Sequence, residues 1–172
     1  MFKNMASALF LTERDAEFDA NKPKVKGRII TTIEKAKEVR SLVEKCITLA
    51  RKMVPLKAEA DKLNSPAERG SDAWKNWRKG EGWQKWAKAM SPVLAGRRRL
   101  LQMLGDKQAV KLCVEELGPR FLDRKGGYTR VLRLAKPRLG DAGTRAILEF
   151  VGKNDRVVKK AQKPTFTDEP AN

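Results

Sequence analysis

Apolar positions along the chain follow two rhythms. Phe2, Met5, Ala6, Leu9 and Phe10 recur at helical spacing and predict a helix over residues 2–13. This apolar start invites a signal-peptide reading. However, Lys3 is its one basic residue, and Glu13, Asp15 and Glu17 follow with no small-residue cleavage site. An amphipathic first helix is therefore expected. A polar loop over 15–27 carries Pro23 and the alternation Lys22, Lys24, Lys26. Arg28-Ile29-Ile30-Thr31-Thr32-Ile33 is β-branched almost throughout and predicts a strand. A long helix is expected from Ile33 or Glu34 to Val54, with Pro55 as its stop. Its stripe runs through Val39, Leu42, Val43, Cys46, Ile47, Ala50 and Met53. Lys35, Lys37, Arg40, Lys45, Arg51 and Lys52 fall largely off that stripe, so one face packs and the others meet solvent or phosphate.

The pattern changes over 55–91, which reads as a helical segment inserted into an otherwise compact plan. It holds Trp74, Trp77, Trp83 and Trp86, with glycines at 70, 80 and 82. A helix is expected to resume from Pro92 to Leu104. Asp106 is a candidate N-cap for a further helix through Leu117, which buries Val110, Cys113, Val114 and Leu117 and is stopped by Gly118-Pro119. Residues 128–135 and 145–151 read as a hairpin-like pair of strands, with Ala146, Leu148 and Phe150 alternating as the inward face. Residues 1–152 form one domain on this reading. From Lys153 the chain is basic, then rich in Pro, Thr and acid. With no apolar periodicity, a disordered tail is expected over 153–172.

Charge narrows the partners. In 172 residues, 38 Lys and Arg face 21 Asp and Glu, a formal net charge of +17. Such an excess repels itself unless an anionic partner neutralises it. The obvious anionic partners are nucleic acid and anionic membrane, and no apolar run approaches the roughly 20 residues of a spanning helix. The absence of histidine removes the commonest general base and metal ligand. Cys46 and Cys113 cannot by themselves build a four-ligand zinc site. Each sits in a helical apolar pattern and reads as a buried small hydrophobe, which suits a reducing cytoplasm. Glu115-Glu116 and Glu34/Glu38 lie on helices rich in opposite charge and read as solvated pairs. There is no nucleophile–base arrangement, phosphate-binding loop or dinucleotide fingerprint. No catalytic residue, metal, cofactor or small-molecule substrate is expected.

The densest candidate chemistry lies between Gly118 and Arg145. Arg120, Arg124, Lys125, Arg130, Arg133, Lys136, Arg138 and Arg145 stand there against only Asp123 and Asp141. Arginine predominates, as suits bidentate phosphate contacts. Gly126-Gly127 supplies a turn through which backbone can approach a phosphate, or simply a turn that needs positive φ. Arg97, Arg98 and Arg99 span about 200° of a helix, so they cannot all face one groove; Arg97 and Arg98 are kept as candidates. The tryptophans form two i, i+3 pairs nine residues apart, a half-turn out of phase on one straight helix. A break at Gly80 and Gly82 would let both pairs face one surface. There they would either stack on unpaired bases, between Lys75, Arg78, Lys79, Lys85 and Lys88, or form a satellite core.

Several blocks, in this order, resemble the bacterial large-subunit ribosomal protein L17 family. They are Arg28 to Thr32, Lys35 to Arg40, Glu44 to Ala50 and, more weakly, Asp106 to Val110. The most specific is Gly118-Pro119-Arg120-Phe121, Asp123-Arg124 and Gly126 to Val131, closed by Gly140-Asp141. The match covers residues 2–54 and 92–152. The resemblance implies an α+β two-layer fold, with a small mixed three-stranded sheet against helices. It implies a structural role in the large ribosomal subunit, with its large RNA and neighbouring subunit proteins, and no membrane, as partners. Carried over by position, Thr31, Thr32, Lys35, Lys37 and Arg40 would form a strand-to-helix RNA contact. Arg120, Arg124, Gly126, Gly127, Tyr128, Arg130, Arg133 and Arg138 would form a second, and Lys136 is a further RNA-binding candidate of the same basic stretch. Family members usually begin with a basic, histidine-containing arm; here the sequence begins almost inside the first helix, so either the arm is absent or the start was assigned too late. Residues 55–91 have no inherited role. The alternative to subunit residence is a free-standing RNA or DNA chaperone.

Overall fold

The computed structural model describes residues 1–152; the expected tail over 153–172 lies outside the described residues. The elements are α1 (Phe2–Leu11), β1 (Arg28–Thr32), α2 (Ile33–Lys62), α3 (Asp72–Lys79), α4 (Glu81–Leu104), α5 (Lys107–Leu112), α6 (Gly118–Arg120), β2 (Thr129–Arg133) and β3 (Arg145–Phe150). A π turn, Cys113–Leu117, joins α5 to α6. The sheet order is β1-β3-β2. Both pairings are antiparallel, so the mixed sheet that the resemblance implied is corrected. The α+β class holds, with helices on one face of the sheet.

The core lies between α2 and the inward face of β3. Ala146, Leu148 and Phe150 are buried against Val39, Val43, Cys46 and Ile47 of α2. Phe150 meets Phe10 at 5.7 Å and Phe121 at 6.4 Å between ring centroids, and Phe121 meets Tyr128 at 5.2 Å. Tilted aromatic contacts of this kind add about 1 kcal/mol each beyond area burial. The apolar start of the chain is helix α1, with Ala6, Leu9 and Phe10 in this core. Cys46 and Cys113 are buried free thiols, as the helical pattern suggested. Burial pushes the Cys46 thiol up to about 12, and Cys113 is raised by burial and by its neighbour Cys46.

Two expected stops and one expected start are crossed. Helix α2 passes through Pro55 and ends at Lys62, and α4 passes through Pro92. A proline inside a helix costs about 3 kcal/mol, so tertiary packing must offset it. Helix α4 returns along α2, burying Met53, Ala60, Val93 and Gly96. A Cβ at Gly96 would lie 2.1 Å from Met53 Sδ, so any larger residue there would have to displace the Met53 thioether. The helix after Asp106 also does not stop at Gly118-Pro119: it widens into the π turn and closes with α6. Gly118 sits against α2, where an added Cβ would be 3.4 Å from the Ala50 carbonyl oxygen and 3.2 Å from Val54 Cγ2. Asp106 is the N-cap predicted, its Oδ1 accepting from Ala109 N–H at 2.8 Å.

Candidate nucleic-acid interface

Strand β1 feeds directly into α2, and Ile33 N–H donates to the Thr144 carbonyl at 3.0 Å. This bond places the start of α2 beside the start of β3. Thr32 pairs with Arg145 and Arg133 with Ala146, so the same end of the sheet also receives the end of β2 and the β2–β3 loop. Thr31, Thr32 and Lys35 therefore stand with Arg133, Lys136, Arg138 and Arg145 at one end of the sheet. Lys136 and Arg133 are exposed there. In the loop, Arg138 Nε donates to Asp141 Oδ1 at 2.9 Å and its Nη2 donates to Oδ2. Hydrogen bonding to Arg138, helped by Gly143 N–H, holds the Asp141 carboxyl well below the usual carboxylate range. Leu139 stands fully exposed at the tip.

The double-glycine turn lies at the other end of β2, about 17 Å away for a five-residue strand. Gly126 and Gly127 both take positive φ, 144° and 63°, which a side chain would strain. A carboxylate from α2 fixes the exit from the turn. Glu44 Oε2 accepts from Tyr128 N–H at 3.2 Å, and its Oε1 accepts from Thr129 N–H at 2.9 Å and Thr129 Oγ1 at 2.7 Å. Arg51 Nη1 donates to the Arg124 carbonyl, and Arg124 Nε donates to the Gly126 carbonyl at 3.3 Å. Arg124, Lys125 and Gly127 are exposed.

At 100° per residue, Lys37, Arg40, Glu44 and Arg51 fall within about 60° on one flank of α2. Glu44 and Arg51 reach the glycine turn, so Lys37 and Arg40 share the side on which the turn lies. The two expected RNA contacts are thus neighbours along one basic flank. Lys35 belongs to the other flank of α2.

Not every predicted residue is available there. Arg120 Nη1 pairs with Glu13 at 3.3 Å and its Nη2 donates to the Val151 carbonyl at 2.8 Å. Arg130 pairs with Glu149 at 3.5 Å. Tyr128 is 1% exposed, so its ring is core and cannot stack on a base. Arg97 pairs with Glu115 at 3.3 Å, while Arg98 is exposed; both stand on α4, which packs on helices rather than on the sheet. Glu44, which holds the exit of the glycine turn, was missed. The one clue to Glu44 was a lone acid among the basic positions of the α2 flank.

The break among the tryptophans is real and falls at Gly80, the C-cap of α3 and N-cap of α4. Trp77, Trp83 and Trp86 pack together, with centroids 4.9–6.2 Å apart. A Cβ at Gly82 would fall 2.5 Å from Trp77 Nε1, so the indole lies directly on that glycine. Arg78 lies 5.0 Å from the ring centroid of Trp74 and 5.2 Å from that of Trp83. The packing favours the satellite-core reading, although all four side chains remain partly exposed.

Comparison with known proteins identifies the family. The model of the family described as ribosomal protein L17 matches residues 1–151. The large ribosomal subunit protein bL17 of Rhodopirellula baltica is 61% identical over 96% of this chain and 79% of that protein. The bL17 proteins of Halothermothrix orenii and Nitratidesulfovibrio vulgaris are 37% and 33% identical, over 73% and 87% of this chain and 75% and 73% of their own lengths. With a family match across nearly all the described residues, the chain belongs to the ribosomal protein L17 family.

Proposed function

We propose that this protein is a structural constituent of the large ribosomal subunit that binds and braces ribosomal RNA along the α2–β2 flank and the β2–β3 loop. Its place is the bacterial cytoplasm, beside other proteins of the subunit. Family membership makes it a structural component rather than an enzyme. Among the described residues, no helix is long and apolar enough to cross a membrane. The observation that carries the RNA surface is the grouping of exposed Lys37, Arg40, Arg124 and Lys125 around a double-glycine turn whose backbone is open to a phosphate.

Sucrose-gradient fractionation tests residence: the chain is expected to co-migrate with large subunits. Recovery only at the top of the gradient would favour a free-standing RNA or DNA chaperone. Direct binding tests the surface. Arg124→Ala combined with Lys125→Ala should weaken binding to large-subunit RNA and make its salt dependence shallower by about one unit of slope per contact. Arg78→Ala should leave both unchanged. Equal losses from the two variants would make the tryptophan segment a comparable RNA site.

A further inference from the structure

The face of the sheet turned away from the helices is not uniformly basic. Opposed residues in an antiparallel pair point to the same side. Ile30 pairs with Ile147, and Ile147 with Leu132, so an apolar row crosses all three strands. Ile30 is 56% exposed and Leu132 is 40% exposed, with Ile147 half-buried between them. Towards β1 the row opens into a groove of about 430 Å³, whose apolar lining includes Pro23, Val25, Ile30 and Ile147. The described residues leave Ile30 and Leu132 exposed and cover Ile147 only in part.

We infer that this outer face docks a segment of another protein, one that presents apolar side chains flanked by carboxylates. Charge and register decide the occupant. The neighbouring row is Arg28–Glu149–Arg130. Glu149 is 2% exposed and its carboxylate already holds Arg130, so a phosphate laid on this row would meet a buried anion. RNA is therefore a poor match for the face as a whole. A second copy of the chain is disfavoured by its own +17 charge. The rim cations that remain, Lys24, Arg28 and Arg145, call for acidic groups at the edges of an apolar contact. The groove lies on the β1 side, whereas the RNA flank lies along β2, so both surfaces can be occupied at once.

The identity of the partner as a subunit protein rests on the proposed function; the apolar face does not. The test places a photoreactive benzoylphenylalanine at Leu132 or at Ile30 in the full chain and irradiates purified large subunits. The expected product is a crosslink to one ribosomal protein, at a peptide with apolar residues bracketed by Asp or Glu. A crosslink to RNA, to a basic peptide, or to nothing would overturn the inference. In parallel, Ile30→Asp with Leu132→Asp should abolish that crosslink from a probe at Lys24. It should leave affinity for isolated large-subunit RNA within twofold of wild type and the unfolding midpoint within a few degrees. If the double variant loses RNA affinity while still folded, the face is an RNA surface and the inference fails. If wild-type chain does not enter large subunits at all, it is the proposed function that fails.

Discussion

Raising salt from 50 to 200 mM should weaken binding to large-subunit RNA about four-thousandfold. The figure follows from counting free cations rather than all cations. Among the described residues, no carboxylate pairs with Lys35, Lys37, Arg40, Arg98, Arg124, Lys125, Arg133 or Lys136, which stand at or near the surface. Arg97, Arg120, Arg130 and Arg138 each already hold a carboxylate. A guanidinium already neutralised by Glu or Asp neutralises a phosphate less fully, so fewer of the counterions condensed on the RNA are released. Setting aside Arg98, which stands away from the flank, about seven contacts give a slope of log K against log salt of about −6. Were every predicted Lys and Arg to bind a phosphate, the slope would be about −10. A filter-binding series from 50 to 300 mM distinguishes these values. A flat series would remove the electrostatic account altogether.

Glu44→Ala should lower the unfolding free energy by about 3 kcal/mol, because three donors on Tyr128 and Thr129 lose one charged acceptor. Urea unfolding measures this directly. The effect on RNA binding is the more telling result, because two causes oppose each other. Removing a carboxylate next to a phosphate site should by itself tighten binding. Releasing the Gly126-Gly127 turn should loosen it, since the turn must then be ordered on binding. If the turn is an RNA contact, ordering wins and affinity falls by about tenfold, or about 1.4 kcal/mol. A gain in affinity would place the phosphate elsewhere. Glu44→Gln keeps an acceptor oxygen and should recover part of the stability.

Much of the architecture was legible because it rests on local periodicity. The α2 stripe, the β-branched strand Arg28–Thr32, the alternation of Ala146, Leu148 and Phe150 and the Asp106 cap all stand as read. Features that depend on distant partners did not show. Pro55 looks like a stop and Pro92 like a start until Met53 and Gly96 bring α2 and α4 together. The strand directions follow from the antiparallel register of β3 with both neighbours, which no single-strand pattern encodes. The arginine rack was read as uniform, yet Arg120 is met by Glu13, 107 positions earlier, and Arg130 by Glu149 across the sheet. Sequence reports the charges; only the fold tells which are already satisfied.

All four tryptophans lie in the α3–α4 segment, and the core contains none. Emission excited at 295 nm therefore reports that segment alone. Close, tilted indoles couple excitonically, so Trp77, Trp83 and Trp86 give the segment a near-ultraviolet dichroism of its own. The one tyrosine, Tyr128, is buried beside the glycine turn. The chain thus carries two separate optical labels, an indole label on its helical arm and a phenol label under its RNA surface, and melting of either region can be followed without adding a dye.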